Sequence, residues 1–423
     1  MLSILLALVF CSALAAQAPY DLLLKGGHVL DPKNNINGKM DVAIRGGKIA
    51  RVAAGIDAAQ AKKVIPCEGL YVTPGLVDIH VHLYYSTGLK SNLHGDTTSY
   101  VGFRAVHPDG FTFRSGVTTA VDVGSSGWRN FPEFKERVIA LSKTRVYAML
   151  NIVGSGMAGR AKVEQNLSDM SAEDTAKVAR QFPQDIVGVK TAHYAGPEWT
   201  PVDNAVKAGT LANIPVMIDF GSFRSERPFE ELVTKRLRPG DMYTHFFIAA
   251  APLLDAQGKV RPFLREARER GVKFDVGHGA GSFSWKNAVP LLTQGFWPDS
   301  ISTDLHQSSM NAGMKDMLNV MSKILNNGVP LYEVIRRSTI NPAMQIKRPQ
   351  HGHLTEGAEA DVAVLRVDRG HYGFIDSLGA RFDGTQMLAG ELTLRAGEVV
   401  WDLNGRAGQE WKTFYKQRAQ KKR

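Results

Sequence analysis

The sequence predicts an α/β fold: a (β/α)8 TIM barrel with a small composite β-sandwich domain built from both chain ends. Three observations carry this prediction. Through the middle of the chain, short apolar strand candidates alternate with helix-period segments, the pattern of a parallel sheet with crossover helices. Eight strand candidates can be counted there, which is the number that closes a barrel. Glycine-punctuated apolar runs of strand character occupy both ends.

Taken in order, residues 1–18 (MLSILLALVFCSALAAQA) form an apolar run closing on small residues, with Ala13-Leu14-Ala15 and Ala16-Gln17-Ala18 as cleavage boxes. They predict a signal peptide, and with it a secreted or periplasmic protein that keeps no stable membrane anchor once the leader is removed. The n-region carries no Lys or Arg, and a buried N-terminal strand is the alternative. Asp21 to Asp31, Asp41 to Ala53 and Lys63 to Val72 read as strands and hairpins, and similar runs return at Asp361 to Val367 and Leu392 to Trp401. The small β domain is therefore expected over residues 19–73 plus 354–402.

The barrel is expected over residues 74–353. Its strands are Gly75 to His80, Val117 to Val123, Arg145 to Val153, Ile186 to Lys190, Pro215 to Phe220, Met242 to Phe247, Val272 to Val276 and Ser300 to Asp304. Helical periodicity marks Phe131 to Ser142, Glu173 to Gln181, Phe229 to Arg236, Arg261 to Arg270 and Met314 to Asn326. An open doubly wound sheet would want a glycine-rich turn after its first strand, whereas here that strand ends in histidines.

Composition narrows the function. Of two cysteines, Cys11 lies in the leader, so the mature chain keeps Cys67 alone and forms no internal disulfide. The net charge of +10 is scattered except in a basic tail over residues 403–423, where Lys416, Arg418, Lys421, Lys422 and Arg423 cluster as a solvated segment. No zinc-finger spacing or Walker loop points to nucleic acid or nucleotide.

The chemistry sits at the predicted strand ends. In Asp78-Ile79-His80-Val81-His82, period-2 geometry turns both imidazoles to one face and Val81 away, which is half of a metal site. Alone the pair is weak, but Lys190, His245, His278 and Asp304 each stand where a later apolar run stops. Active groups of a barrel belong at those C-terminal strand ends.

With these residues in view, the sequence resembles the amidohydrolase superfamily, in its dihydroorotase-like amidohydrolase and deacetylase branch, along the whole chain after the leader. The marks are Pro74-Gly75-Leu76-Val77-Asp78-Ile79-His80-Val81-His82, Gly116-Val117-Thr118-Thr119, Val189-Lys190, Thr244-His245, Ser302-Thr303-Asp304, Asn341-Pro342-Ala343 and Gly357-Ala358-Glu359-Ala360-Asp361-Val362. The resemblance implies two divalent metal ions, Zn2+ or the harder Mn2+. His80, His82 and Asp304 would hold the more buried ion, His245 the second, and a carboxylated Lys190 would bridge them. A desolvated lysine beside cations is readily deprotonated and takes up CO2 as a carbamate. Asp219 stands where the family places a further histidine for the second ion, so it binds directly, through water, or not at all. His193 could compensate, and is read first as a substrate contact. His278 is read as polarising a carbonyl or holding a carboxylate, with an orienting role behind a ligand as the alternative.

What the resemblance implies for function is a metal-dependent hydrolase using metal-activated water, with Asp304 as the catalytic base. Its expected substrates are small molecules carrying an amide or ester, such as N-acyl amino acids or acyl hydroxy acids. Cyclic amides of the dihydroorotase or hydantoinase type are the alternative, and a non-catalytic metal-binding barrel is the reading of another class. Arg104, Arg160 and Arg224 are candidate partners for a substrate carboxylate. A homo-oligomer is compatible with either reading.

Overall fold

The glycine-punctuated apolar runs become strands at both chain ends. β1 (Leu22–Asp31), β2 (Ile36–Arg45) and β3 (Lys48–Ala53) form an antiparallel meander, while β4 (Val64–Pro66) and β5 (Tyr71–Pro74) add to β1 in parallel. This computed structural model describes residues 18–84, 104–158 and 163–420. The signal-peptide expectation, apart from Ala18, and Arg160 therefore fall outside the described residues.

The middle of the chain supplies a second sheet. β6 (Leu76–Val81), β7 (Val117–Gly127), β8 (Arg145–Asn151), β9 (Ile186–Thr191), β10 (Val216–Ile218), β11 (Met242–Tyr243) and β12 (Lys273–Phe274) lie side by side in chain order, every pair parallel. One face of these strands buries Val77, Ile79, Val121, Val123, Met149 and Val187 in an inner core. The other face packs against the helices, as the near-continuous apolar runs of a doubly covered parallel sheet require.

The helices follow from periodicity and caps. In Ala172–Gln181, Ala172, Thr175, Ala176 and Ala179 are buried at the i, i+3, i+4, i+7 spacing, and the Ser171 hydroxyl accepts from the Asp174 N–H at the N-cap. Glu173 and Asp174 in the first turn and Arg180 in the last complement the helix dipole. Phe131–Arg137, Pro262–Glu269 and Met317–Leu325 fall within their expected segments, while Phe229 to Arg236 is a single α turn running into a wider π turn.

The eighth expected strand, Ser300 to Asp304, is a correction. It forms no ladder and makes isolated parallel bridges instead, Asp275 to Ser300 on one side and Val81 to Leu305 on the other. Its hydroxyls turn to a buried carboxylate, and Asp304 adopts a left-handed backbone with φ of 54°, so the extended run stops at the residue the site uses.

The chain returns to the first sheet through β13 (Val362–Ile375), β14 (Arg381–Arg395) and β15 (Glu398–Asp402). Its strand order is β15-β14-β13-β5-β1-β2-β3, with β4 on β1. By hydrogen bonding this is one continuous sheet of eight strands, and it encloses a core of Leu24, Val29, Val42, Ile65, Val362 and Leu392. The basic tail is not featureless: Trp411–Gln420 is a helix.

Arg145 at the start of β8 ties the two sheets together. Its guanidinium donates to Thr119 Oγ1 (2.7 Å) and Asp361 Oδ2 (2.6 Å) and pairs with Glu359, with only a tenth of the side chain exposed. Arg145→Met should leave Asp361 nearly buried without this partner and destabilise the fold by about 2–3 kcal/mol. The check is the midpoint of urea unfolding, which should fall with the slope unchanged.

Candidate metal centre

Buried polar residues need partners, and those at the C-terminal ends of β6, β9, β10 and β11 find them in one another. His80 is held first. The buried Asp275 carboxylate accepts from the hydroxyls of Ser300 (2.6 Å), Ser302 (2.7 Å) and Thr244 (2.8 Å). Because Thr244 gives its proton to Asp275, its oxygen accepts from His80 Nδ1–H, 2.8 Å away. That fixes the tautomer and leaves the Nε2 lone pair facing inward. His245 is set the same way: Nδ1–H donates to the Gly277 carbonyl at 2.6 Å, leaving Nε2 for the site.

His82 places its Nδ1 2.9 Å from the Ser125 hydroxyl and its Nε2 3.0 Å from Asp304 Oδ1. His80 Nε2 lies 3.7 Å from the same oxygen. Despite these contacts Asp304 Oδ1 is buried without a hydrogen bond of acceptable geometry. An orphaned carboxylate oxygen facing imidazole nitrogens fits a divalent cation, and the donor atoms of His80, His82 and Asp304 all lie within 4.8 Å of one another.

The rest of the cluster adjoins these three. Lys190, buried on β9, sets its amine 3.2 Å from His80 Nε2. Asp219 Oδ2 stands 3.6 Å from His245 Nε2 and 3.5 Å from His193 Nε2, while Asp219 Oδ1 accepts from the Gly221 N–H. His193 Nδ1 pairs with Glu164 Oε2 at 2.9 Å. His193, His245 and Asp304 all have positive φ, between 54° and 59°, a conformation that is uncommon for residues with a side chain and clusters at functional sites.

Burial and mutual charge set the protonation states. Burial would raise the Asp304 carboxyl, but His306, His80 and His82 hold it well below the usual range. Burial acts likewise on Asp219, and His245 with His193 and Lys190 outweighs it, again leaving an anion. Burial pushes the Lys190 amine down against the opposing pull of Asp219 and Asp304, toward the neutral form that reacts with CO2. His193 goes the other way: burial would lower it, yet Glu164 lifts it to about 9.

Of the expected site residues, His80, His82, Lys190, His193, Asp219, His245 and Asp304 line one cavity, and His278 does not. His278 is fully buried beside the cluster, stacked on Phe283 at 4.4 Å, with Nδ1–H donating to the Gly279 carbonyl and Nε2 accepting from Lys323 at 2.6 Å. Both ring nitrogens are thus used within the protein, which removes the expected substrate contact. Its turn still serves the site through Gly277 and Gly279, where any Cβ would meet Thr244, His80 and His245 or Asp304 within 3.0 Å.

Four residues that the strand-end pattern passed over belong here. His306 lines the cavity, its Nδ1 capping the helix Gln307–Asn311 and its Nε2 3.9 Å from Asp304 Oδ2. Its position two residues past Asp304 was the available signal. Glu164 and Asp275 had none, because each acts through a partner distant in sequence. Met157 lines the cavity as well. Arg104, one of the three candidate arginines, lines it too, whereas Arg224 donates to the Ala195 carbonyl away from it.

Imidazoles, carboxylates and a neutral-prone lysine converging at the C-terminal ends of parallel strands define a metal-dependent hydrolase. Comparison with known proteins agrees. The model of the "Amidohydrolase family" matches residues 284–382. "Deacetylase Atu3266" of Agrobacterium fabrum is 33% identical over 77% of this chain and 78% of its own length, and a "Deacetylase" of Enterococcus faecalis is 30% identical over 90% and 99%. Among solved structures, an adenine deaminase is similar with a TM-score of 0.79 and 29% identity, covering 90% of this chain and all of that one. A dihydroorotase gives 0.78 and 26%, covering 90% and 99%. The chain belongs to the amidohydrolase superfamily and is a hydrolase acting on C–N bonds. These likenesses imply a TIM-barrel fold, of which seven parallel strands are seen here.

Two expectations follow. Gly277→Ala, at φ of 45° with Thr244 Oγ1 only 2.3 Å from the new Cβ, should displace His80 and His245 and weaken metal retention roughly 10- to 100-fold, read by elemental analysis after dialysis. The second concerns Lys323, whose amine also donates to the Gly313 and Ile375 carbonyls. Burial pushes it down to about 7 against the pull of Asp376. Between pH 7 and about 10 the unfolded chain then holds a proton there that the native state lacks, so this group adds stability as pH rises. Denaturation midpoints across that range should rise more steeply for the wild type than for Lys323→Met.

Proposed function

We propose that this protein is a deacetylase-type hydrolase that cleaves an amide or ester of a small acylated molecule, such as an N-acyl amino acid or an acyl hydroxy acid. The observation that carries the reading is the orphaned Asp304 Oδ1 facing His80 and His82 at the C-terminal ends of the parallel strands. A closed (β/α)8 barrel is supported by the isolated bridges of Leu305 to Val81 on β6 and of Ser300 to Asp275 just past β12. The acyl class is supported by relatives named deacetylase that match along most of this chain, where dihydroorotase sequences match over 14–19% of it.

His80, His82 and Asp304 would hold one ion, and His245 with Asp219 the second, with zinc or manganese as the metal and Lys190 bridging as a carbamate. Its neutral amine adds to CO2 with formation of an N–C bond and release of a proton to solvent. When bound, such ions supply Lewis acidity and bring the pKa of water toward neutrality. Asp304 accepts the proton of the attacking water and returns it to the leaving nitrogen or oxygen. His306 Nε2–H is oriented toward Asp304 Oδ2 because its Nδ1 already accepts from the Ser308 and Ser309 N–H groups. His193, lining the cavity with its Nδ1 engaged by Glu164, contacts the substrate. The leader-like residues 1–18 support export to a secreted or periplasmic location.

Cyclic-amide hydrolysis is the second reading, favoured by the dihydroorotase likeness across nearly the whole of both chains. Purified protein should release acetate from N-acetyl amino acids or acetylated hydroxy acids, lose this activity to a chelator and regain it with zinc or manganese. Hydrolysis of dihydroorotate or a hydantoin without acetate release would replace the reading with the second one. No turnover of either class by metal-loaded protein would overturn both readings. Asp304→Asn should lower kcat by roughly 10²–10⁴-fold, and a fully active variant removes Asp304 from the proton-transfer role.

A further inference from the structure

The helix Trp411–Gln420 stands apart from the packing that explains every other helix described above. All ten of its residues are exposed, and none contributes to a core. Helices of this length are marginal in water without an apolar surface to cover them. Its sequence nevertheless carries one apolar face, for Trp411, Phe414 and Tyr415 stand at i, i+3, i+4 and are 66%, 42% and 61% exposed. The Glu410 carboxylate accepts from the Thr413 N–H at its start, so the helix is locally specified.

Charge accompanies the aromatic face. Lys412, Lys416 and Arg418 lie on the helix, Lys421, Lys422 and Arg423 follow in the sequence, and Glu410 is the one acidic residue from Leu403 onward. Lys412 sits over the Trp411 ring at 5.5 Å. We infer that this C-terminal helix docks reversibly on an anionic phospholipid surface, aromatic side chains at the headgroup boundary and basic side chains on the lipid phosphates. Trp and Tyr favour that boundary because their rings are apolar with one polar atom. Each Lys or Arg near an anionic bilayer strengthens binding roughly fivefold, and six occur within thirteen residues. A second copy of the chain would bring the same positive charge against itself. No helix among the described residues is long and apolar enough to cross a membrane, so the contact is with the surface alone.

The test is co-sedimentation of the full-length protein with vesicles of phosphatidylglycerol mixed with phosphatidylcholine, against phosphatidylcholine alone. The expected result is at least about tenfold tighter binding to the anionic vesicles, weakened by salt. The triple variant Trp411→Ser, Phe414→Ser, Tyr415→Ser should reduce it about tenfold, and Lys412→Glu, Lys416→Glu, Arg418→Glu should abolish it. Hydrolytic activity should be unchanged in both, which shows that they fold. Equal binding by wild type and both variants, or none by wild type, overturns the inference. So does a wild-type dimer in light scattering that the serine variant dissociates without any vesicle binding, or tighter binding to a single-stranded oligonucleotide than to the vesicles.

Discussion

Four carboxylates, from Glu164, Asp219, Asp275 and Asp304, are buried within a few ångströms of imidazoles at one end of the parallel sheet, and removing that much charge from water costs several kcal/mol per ion unless it is matched. Asp275 is matched by three hydroxyls, one of which passes the constraint on to His80. Glu164 is matched by His193 and by the Asn151 amide. Asp219 is matched by the Gly221 N–H and by imidazoles, and Asp304 by imidazoles alone and only incompletely. That remainder of negative charge makes the site a receptor for cations, and the surrounding strands are arranged to hold it in place.

The same constraint reaches the backbone. Side chains from neighbouring segments can meet at one point only if the chain bends sharply at their ends, which is why His193 and His245, two residues past β9 and β11, and Asp304 at the end of its extended run adopt left-handed conformations. Gly277 and Gly279 complete the bend on the neighbouring turn, since no side chain fits between it and Thr244, His80, His245 and Asp304. Behind that turn Lys323 and His278 fill the interior with an amine and an imidazole whose hydrogen bonds are satisfied locally. Rigidity at the cluster therefore depends on residues that do not line the cavity.

Asp219 sits at the centre of the second group of buried charges, between His245 and His193. A carboxylate there adds negative charge beside His245, His193 and Lys190, and it raises His245 where burial alone would lower it. His193 is drawn toward the same carboxylate at 3.5 Å. The carboxylate thus engages His245 and His193 together, and through His193 it is linked to Glu164.

By itself the sequence determined the alternation that makes a parallel sheet, the strand-like chain ends, and the polar residues that stop each apolar run. His80, His82, Lys190, His245 and Asp304 were legible because period 2 and strand termini fix where a side chain points without any tertiary knowledge. Asp219 was legible as a departure only through the family resemblance. The tertiary structure alone decided which groups meet across long separations: Asp275 with His80, Glu164 with His193, Lys323 with His278. It also decided that His278, at a strand end like the others, turns into the packing while His306 turns into the cavity. A histidine declares its role through what each ring nitrogen touches, and those partners are set by how distant segments pack, which local pattern does not encode.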